Sequence, residues 1–126
     1  MVMVTDQPIS PEAAYHLVKS DGSGSVVFHF AVVKASPGDR GVTSSIEYRE
    51  KGDTGAELES IAAELMNRWE LDDVVLVRRT GRLGVGEIIS LVAASSPNSA
   101  DAFQSCQDGI GRLKKMATIV KTEVFG

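Results

Sequence analysis

The sequence is poor in the residues that build disulfides and metal sites. It contains a single cysteine, Cys106, so no disulfide can form within the chain. Its two histidines, His16 and His29, have no second metal-type ligand at a recognisable spacing, and they complete no Ser-His-Asp pattern. We therefore expect a fold held by its own hydrophobic core, with no metal and no bound cofactor.

Long apolar runs are also missing. No stretch approaches the roughly 20 apolar residues that a membrane-spanning helix needs. The first ten residues, MVMVTDQPIS, have neither the basic segment nor the apolar segment of a secretory signal peptide. The expectation from these absences is a cytoplasmic protein.

What the sequence does contain is an ordinary globular composition. Hydrophobic residues make up 43% of the 126 positions and charged residues 24%. A chain of this length buries roughly two-thirds of its unfolded surface, which is enough for one domain, residues 1–126. The net charge of −4 gives no indication of a nucleic-acid partner, because such proteins are usually basic along one face.

Hydrophobic periodicity predicts three helices and five strands. The helices begin near Ser10, near Thr54 and at Asn98 or Ser99, and Thr54 with Glu57 forms the pattern of a capping box. The predicted strands cover residues 26–33, 42–48, 74–77, 88–94 and 119–125, the first being apolar enough to be buried on both faces or nearly so. This order predicts an α+β fold, with helices covering one side of the sheet.

Two segments suggest chemistry but have simpler explanations. The glycine-rich stretch from Gly81 to Gly86 matches neither the dinucleotide-binding fingerprint nor the Walker phosphate loop, and a strand rather than a helix follows it. A connection between strands is therefore the better interpretation. Cys106 falls on the apolar face of the third helix, where a cysteine behaves as a small hydrophobic residue rather than a nucleophile.

Basic residues near the C-terminus leave two interpretations open. Arg112, Lys114, Lys115 and Lys121 lie within ten positions of an otherwise acidic chain. Positive charge at a helix end is favourable against the helix dipole, so a structural role is possible. The functional interpretation is an anion site, in which desolvation of one lysine could turn it into an acid or base.

Several stretches together resemble the large, catalytic subunit of molybdopterin synthase. The resemblance extends from about Gly24 to Phe125, and it lies in the order and spacing of short segments rather than in any one of them. These segments are Gly24-Ser-Val-Val, Ile46-Glu47-Tyr48, Ala62-Ala-Glu-Leu-Met-Asn-Arg68-Trp69, Arg79-Thr-Gly81-Arg-Leu-Gly-Val-Gly86-Glu87, Ser95-Ser-Pro97, Ala102-Phe103, Cys106-Gln107, Leu113-Lys114 and Lys121-Thr-Glu123. The fold that the resemblance implies is mainly antiparallel sheet with packed helices, of the α/β hammerhead kind.

The resemblance also implies a reaction and its partners. Enzymes of this family are sulfurtransferases that insert two sulfurs into cyclic pyranopterin monophosphate, making molybdopterin for the molybdenum cofactor. The sulfur arrives as a thiocarboxylate on the C-terminal Gly-Gly tail of a small ubiquitin-like subunit, and two large subunits pair into the centre of a heterotetramer. The family's two central lysines correspond to Lys114, expected at the thiocarboxylate and reacting pterin, and Lys121, expected to hold substrate or move protons.

The sequence departs from the family pattern at several expected substrate contacts. Lys34 stands where the first strand usually ends in arginine, and Asn98-Ser99 stands where a His-Arg pair is usual. Arg40 is a candidate replacement for a lost charge, and Lys115 is a further basic candidate. We expect all five residues to bind substrate. The alternative is a non-catalytic relative that keeps the fold and binds a partner protein or another anionic ligand.

Overall fold

The computed structural model describes residues 1–35, 37–38 and 41–126 of the chain. In this part the chain forms three helices and eight strands. In chain order they are β1 Val2–Thr5, α1 Pro11–Leu17, β2 Ser25–Val32, β3 Pro37–Gly38, β4 Gly41–Glu50, α2 Thr54–Arg68, β5 Asp73–Arg79, β6 Gly81–Gly84, β7 Ile88–Ser96, α3 Ser99–Lys114 and β8 Ile119–Phe125.

The strands form two sheets with mostly antiparallel pairing. The first has the order β1-β5-β7-β2, in which only β1 and β5 run parallel. In the second, β4 pairs antiparallel with β3, β6 and β8. The α+β class is therefore confirmed, while β1 was not predicted and the glycine-rich connection contains the short strand β6.

Helices cover both faces of the first sheet, so the prediction of one covered side is wrong. Residues along β5 alternate between two cores: Val74 and Leu76 pack with α2 and α3, and Val75 and Val77 pack with α1. The prediction that residues 26–33 are buried on both faces is also wrong, because β2 is an edge strand whose residues are mostly half-buried and whose last residue, Val32, is exposed.

Helix α3 approaches the first sheet very closely at Gly109. A Cβ atom placed there would lie 2.9 Å from Cγ1 of Val92 and 3.2 Å from Cδ1 of Leu65. Both neighbours are almost completely buried, so they have little room to move. Two residues further on, a Cβ at Gly111 would meet nothing within 4 Å. The first glycine therefore sets how near α3 lies to β7.

The start of α2 differs from the predicted capping box. Asp53, not Thr54, caps the helix, through an Oδ1 atom that accepts a hydrogen bond from the N–H of Ala56. The Glu57 carboxylate instead accepts hydrogen bonds from the N–H groups of Ala117 and Thr118 and from the Thr118 hydroxyl, at 2.9, 3.0 and 2.7 Å. Glu57 therefore fastens α2 to the turn that joins α3 to β8.

We predict that Glu57→Ala destabilises the protein by about 1–3 kcal/mol, because three donors lose a charged acceptor. Partial burial acts to raise the pKa of Glu57, but the three hydrogen bonds outweigh it and lower the pKa. A carboxyl with a lowered pKa stabilises the fold above its unfolded-state pKa, and that contribution is lost as pH falls through the folded-state value. Urea unfolding at several pH values would test this, with the gap between the two proteins narrowing in acid.

The matched control is Glu59→Ala, on the exposed face of the same helix. It should leave the unfolding midpoint nearly unchanged at every pH. An equal loss of stability in both variants would mean that helix propensity, rather than the Glu57 hydrogen bonds, is responsible.

None of the helices in the described ranges is long and apolar enough to cross a membrane.

Candidate active site

A cavity of about 430 Å³ opens between the end of β2, the strands β4 and β8, and the C-terminal end of α3. Three lysines of the chain reach it: Lys34 just after β2, Lys114 as the last residue of α3, and Lys121 in β8. The other residues that line it are His29, Phe30, Ala31, Val32, Val33, Thr43, Ile46, Tyr48, Ile89 and Glu123. Lys114 and Lys121 are thus brought to one cavity by the turn that Glu57 holds.

The pairing of β8 with β4 fixes the position of Lys121. It lies directly opposite Tyr48 in the register of the two strands. Glu123, two positions along on the same face of β8, has Oε1 at 3.8 Å from Nζ of Lys121, while its Oε2 accepts a hydrogen bond from the Thr43 hydroxyl at 2.9 Å. Thr43 therefore orients the carboxylate beside Lys121.

Tyr48 lines both the main cavity and an adjoining smaller one of about 160 Å³. The Arg78 guanidinium lies against the Tyr48 ring, with its central carbon 4.6 Å from the ring centroid. Burial lowers the pKa of Arg78, and it raises the pKa of Tyr48 even though the neighbouring guanidinium acts in the opposite direction. Our sequence-based site contained neither residue, although a basic pair ending an apolar strand, Arg78-Arg79, was a signal that could have found one of them.

Cations outnumber acids in this region. Glu123 is the single acidic residue among the described residues that line either cavity, against Lys34, Lys114, Lys121 and Arg78. This excess stands out in a chain with a net charge of −4. Positive charge in a partly enclosed site attracts anions more strongly than it does in open water. The arrangement suits a substrate that carries phosphate or carboxylate groups.

The other predicted substrate-binding residues lie elsewhere. Asn98 caps α3, with its Oδ1 accepting from the N–H groups of Ala100 and Asp101, and Ser99 is the first residue of that helix. Because α3 has 16 residues, its two ends are roughly 24 Å apart, so Asn98 and Ser99 do not meet Lys114 within one chain. Lys115, the C-cap residue of α3, is exposed and lines neither cavity. Arg40 lies outside the described residues.

The basic cluster near the C-terminus divides into two groups. Arg112 forms ion pairs with Glu64 of α2 and with Asp108 of its own helix, so its charge serves the contact between α2 and α3. Lys114 has no ion-pair partner among the described residues and borders both cavities. The structural interpretation of the basic cluster therefore suits Arg112, and the anion-site interpretation suits Lys114.

The described residues offer little for metal or thiol chemistry. They contain no group of three or more histidine, cysteine, aspartate or glutamate side chains that could hold a metal ion. Cys106 is buried, as predicted, with its Sγ 3.6 Å from the Val92 carbonyl oxygen. Burial raises the pKa of this thiol to about 11, so very little of it is thiolate near neutral pH. The cavity's own titratable side chains are therefore its lysines together with His29, Tyr48 and Glu123.

Known proteins that are similar to this chain in sequence and in fold carry the name molybdopterin synthase. The chain is 33% identical over 122 residues to a molybdopterin synthase catalytic subunit from Nostoc, covering 95% of this chain and 73% of that protein. It is 32% identical over 103 residues to a protein of the same name from Cereibacter sphaeroides, covering 82% and 69%. The crystal structure of molybdopterin synthase from Staphylococcus aureus superimposes with a TM-score of 0.89 at 26% identity, over 98% of this chain and 90% of that one.

The family model described as MoaE protein matches residues 4–116, a range that includes Lys34 and Lys114 and ends before Lys121. A second solved structure, molybdopterin cofactor biosynthesis protein E from Burkholderia multivorans, has a TM-score of 0.85 at 28% identity and covers 98% of this chain and 82% of its own. Since the family model spans most of the sequence, the chain belongs to the MoaE family.

Proposed function

We propose that this protein is the catalytic subunit of a molybdopterin synthase, a sulfurtransferase that makes molybdopterin from cyclic pyranopterin monophosphate. The observation that carries the proposal is the placement of Lys114 and Lys121 in one cationic cavity of a MoaE-family chain. Its volume of about 430 Å³ lies within the range of roughly 300–1,000 Å³ that small-molecule sites usually have.

The partner in this proposal is a small ubiquitin-like subunit whose C-terminal Gly-Gly tail bears a thiocarboxylate. Its tail enters the cavity, and two copies of the present chain form the centre of a heterotetramer. In each transfer the thiocarboxylate sulfur bonds to a carbon of the pterin side chain as that carbon's bond to oxygen breaks, the oxygen leaving as water or staying on the phosphate. Water then cleaves the bond between the sulfur and the tail's acyl carbon. Sulfur stays on the pterin and the tail leaves as a carboxylate. The assembly is proposed to work in the cytoplasm.

Lys114 and Lys121 have different surroundings, which suggests different tasks. Lys114 has no carboxylate partner in the described part of the chain, so its ammonium group is available to the thiocarboxylate and to the oxyanion that develops as water attacks. Lys121 has Glu123 at 3.8 Å, and this pair can pass a proton or hold a polar group of the pterin. Lys34 and Lys115 remain candidate contacts for substrate, as do Arg40, Asn98 and Ser99.

One observation favours the second candidate, a non-catalytic relative that binds a partner or another anion. Asn98 uses its side-chain oxygen to cap α3, at the position where the family usually has the first residue of a His-Arg pair. A cap of this kind stabilises a helix but supplies no cation. The open cavity beside Lys34, Lys114 and Lys121 weighs more heavily toward the enzyme.

A reconstitution assay would distinguish these candidates. Purified protein would be mixed with the thiocarboxylated small subunit and cyclic pyranopterin monophosphate, and molybdopterin would be detected as its fluorescent oxidation product. We expect product in proportion to the thiocarboxylate supplied, and none when the small subunit ends in an ordinary carboxylate. A complex that forms with the small subunit but yields no product would instead establish the non-catalytic relative.

A further inference from the structure

The smaller cavity adjoins the main cavity and shares its two C-terminal lysines. Tyr48, Lys114 and Lys121 line it as well as the main cavity, and its remaining lining residues are Arg78, Leu113, Met116 and Ile119. At about 160 Å³ it falls below the range usual for whole small-molecule ligands. A single chemical group of a ligand that occupies the main cavity is the natural occupant of a space of this size.

Arg78 is the residue of this cavity whose charge is not compensated. Its exposed fraction is 8%, and its Nε atom is fully buried with no hydrogen-bond partner. No carboxylate in the described ranges forms an ion pair with it, whereas the next residue, Arg79, has NH1 at 2.8 Å from Oε1 of Glu87. The Tyr48 ring is the one contact that stabilises the Arg78 charge among the described residues.

A buried guanidinium without an anion is unfavourable, because it has lost water and gained little in exchange. Its planar set of donors matches two oxygens of one anion, and no lysine can reproduce that geometry. Leu113, Met116 and Ile119 also line this cavity, and a charge-assisted hydrogen bond formed beside apolar side chains is stronger than one in open water. Arg78, Lys114 and Lys121 together therefore provide what a small oxyanion requires.

We propose that the smaller cavity is a subsite for one oxyanion, a phosphate or a carboxylate-type group, bound by Arg78 from within and by Lys114 and Lys121 at the entrance. This assignment rests on the proposed function, which supplies two sources of such a group. One is the phosphate of the pterin, and the other is the terminal carboxylate or thiocarboxylate of the small subunit. Arg78 is then a binding residue of the site rather than a structural one.

Calorimetric titration of Arg78→Met would test the subsite without relying on turnover. One arm uses cyclic pyranopterin monophosphate, and the other uses the small subunit with an ordinary C-terminal carboxylate. We expect the variant to bind one of these ligands about ten- to a hundredfold more weakly, since a charge-assisted bidentate contact is lost. The matched control, Arg49→Met, removes an exposed arginine of β4 and should bind both ligands as the unaltered protein does.

The ligand whose binding to Arg78→Met weakens is the source of the oxyanion. Unchanged binding in both arms would overturn the subsite while leaving the proposed function standing. An unaltered protein that binds neither ligand would overturn the proposed function and the subsite with it. If Arg78→Met does not fold, Arg78→Lys decides the question: we expect several-fold weaker binding in one arm because the forked contact is lost, and full affinity would refute the assignment.

Discussion

Lys114→Ala is expected to reduce molybdopterin formation by about 10²–10³-fold, the usual loss when one donor to a developing oxyanion is removed. The side chain is exposed at the end of α3 and borders both cavities, so its removal takes a cation from the reaction without opening a gap in the core. Thermal unfolding should therefore stay close to that of the unaltered protein. The measurement is the initial rate of product formation with thiocarboxylated small subunit in excess.

Lys51→Ala provides the control for Lys114→Ala. Lys51 is an exposed lysine in the turn before α2, and it lines neither cavity. Its replacement should leave the rate unchanged, because it lowers the net charge of the chain by the same amount but takes no charge from the site. A Lys114→Ala variant that unfolds, or one that retains full activity, would assign that lysine to the structural interpretation of the basic cluster.

Gly109→Val is expected to destabilise the protein by about 2–3 kcal/mol, in the upper part of the usual cost of overpacking a core. A Cβ at this position lies 2.9 Å from Cγ1 of Val92, and valine adds two further methyl groups to a space that is already filled. Val92 is β-branched and buried within β7, so it cannot rotate away cheaply. The helix must therefore move outward or the strand must bend.

The same substitution two residues along separates packing from helix propensity. Gly111→Val places the side chain where a Cβ meets nothing within 4 Å, and valine is a slightly better helix former than glycine. We expect its free energy of unfolding to stay within about 0.5 kcal/mol of the starting protein. Denaturant unfolding of both variants measures the difference, and equal stabilities would show that α3 is not held against β7 at Gly109.

Local sequence patterns were sufficient for most of the elements. Ser10 caps α1 as predicted, through an Oγ that accepts from the N–H of Ala13, and the five predicted strands correspond to β2, β4, β5, β7 and β8. The four-residue strand β1 escaped notice because its stability comes from β5, more than seventy residues further along the chain. A strand that short has no periodicity of its own to read.

The burial of the elements was harder to predict than their boundaries. An apolar run such as β2 has the same pattern at the edge of a sheet as in its centre, and only the pairing order shows that β2 is an edge strand. In the same way, Thr54 and Glu57 satisfied the spacing of a capping box. Nothing local could reveal that Glu57 has better donors at Ala117 and Thr118, on another part of the fold.

The same distinction between local pattern and long-range packing applies to the candidate site. The family resemblance singled out Lys114 and Lys121, and they line one cavity because a helix end and the following strand are adjacent in the chain. The contact between Tyr48 and Arg78 joins β4 to β5, which belong to different sheets, so it depends on how the sheets pack. Asn98 and Ser99 are separated from Lys114 by the whole length of α3, a distance that their place in the sequence does not express.

The fastening of the turn between α3 and β8 has a consequence for how such a chain can evolve. Glu57 holds both Ala117 and Thr118, so an added or deleted residue in this turn could not be absorbed there and would pass into β8. A shift of one residue in a strand moves every side chain to the opposite face, and Lys121 would then point away from Lys114. The length of this turn is therefore tightly constrained, and insertions and deletions there should be selected against more strongly than substitutions of its exposed residue Ala117.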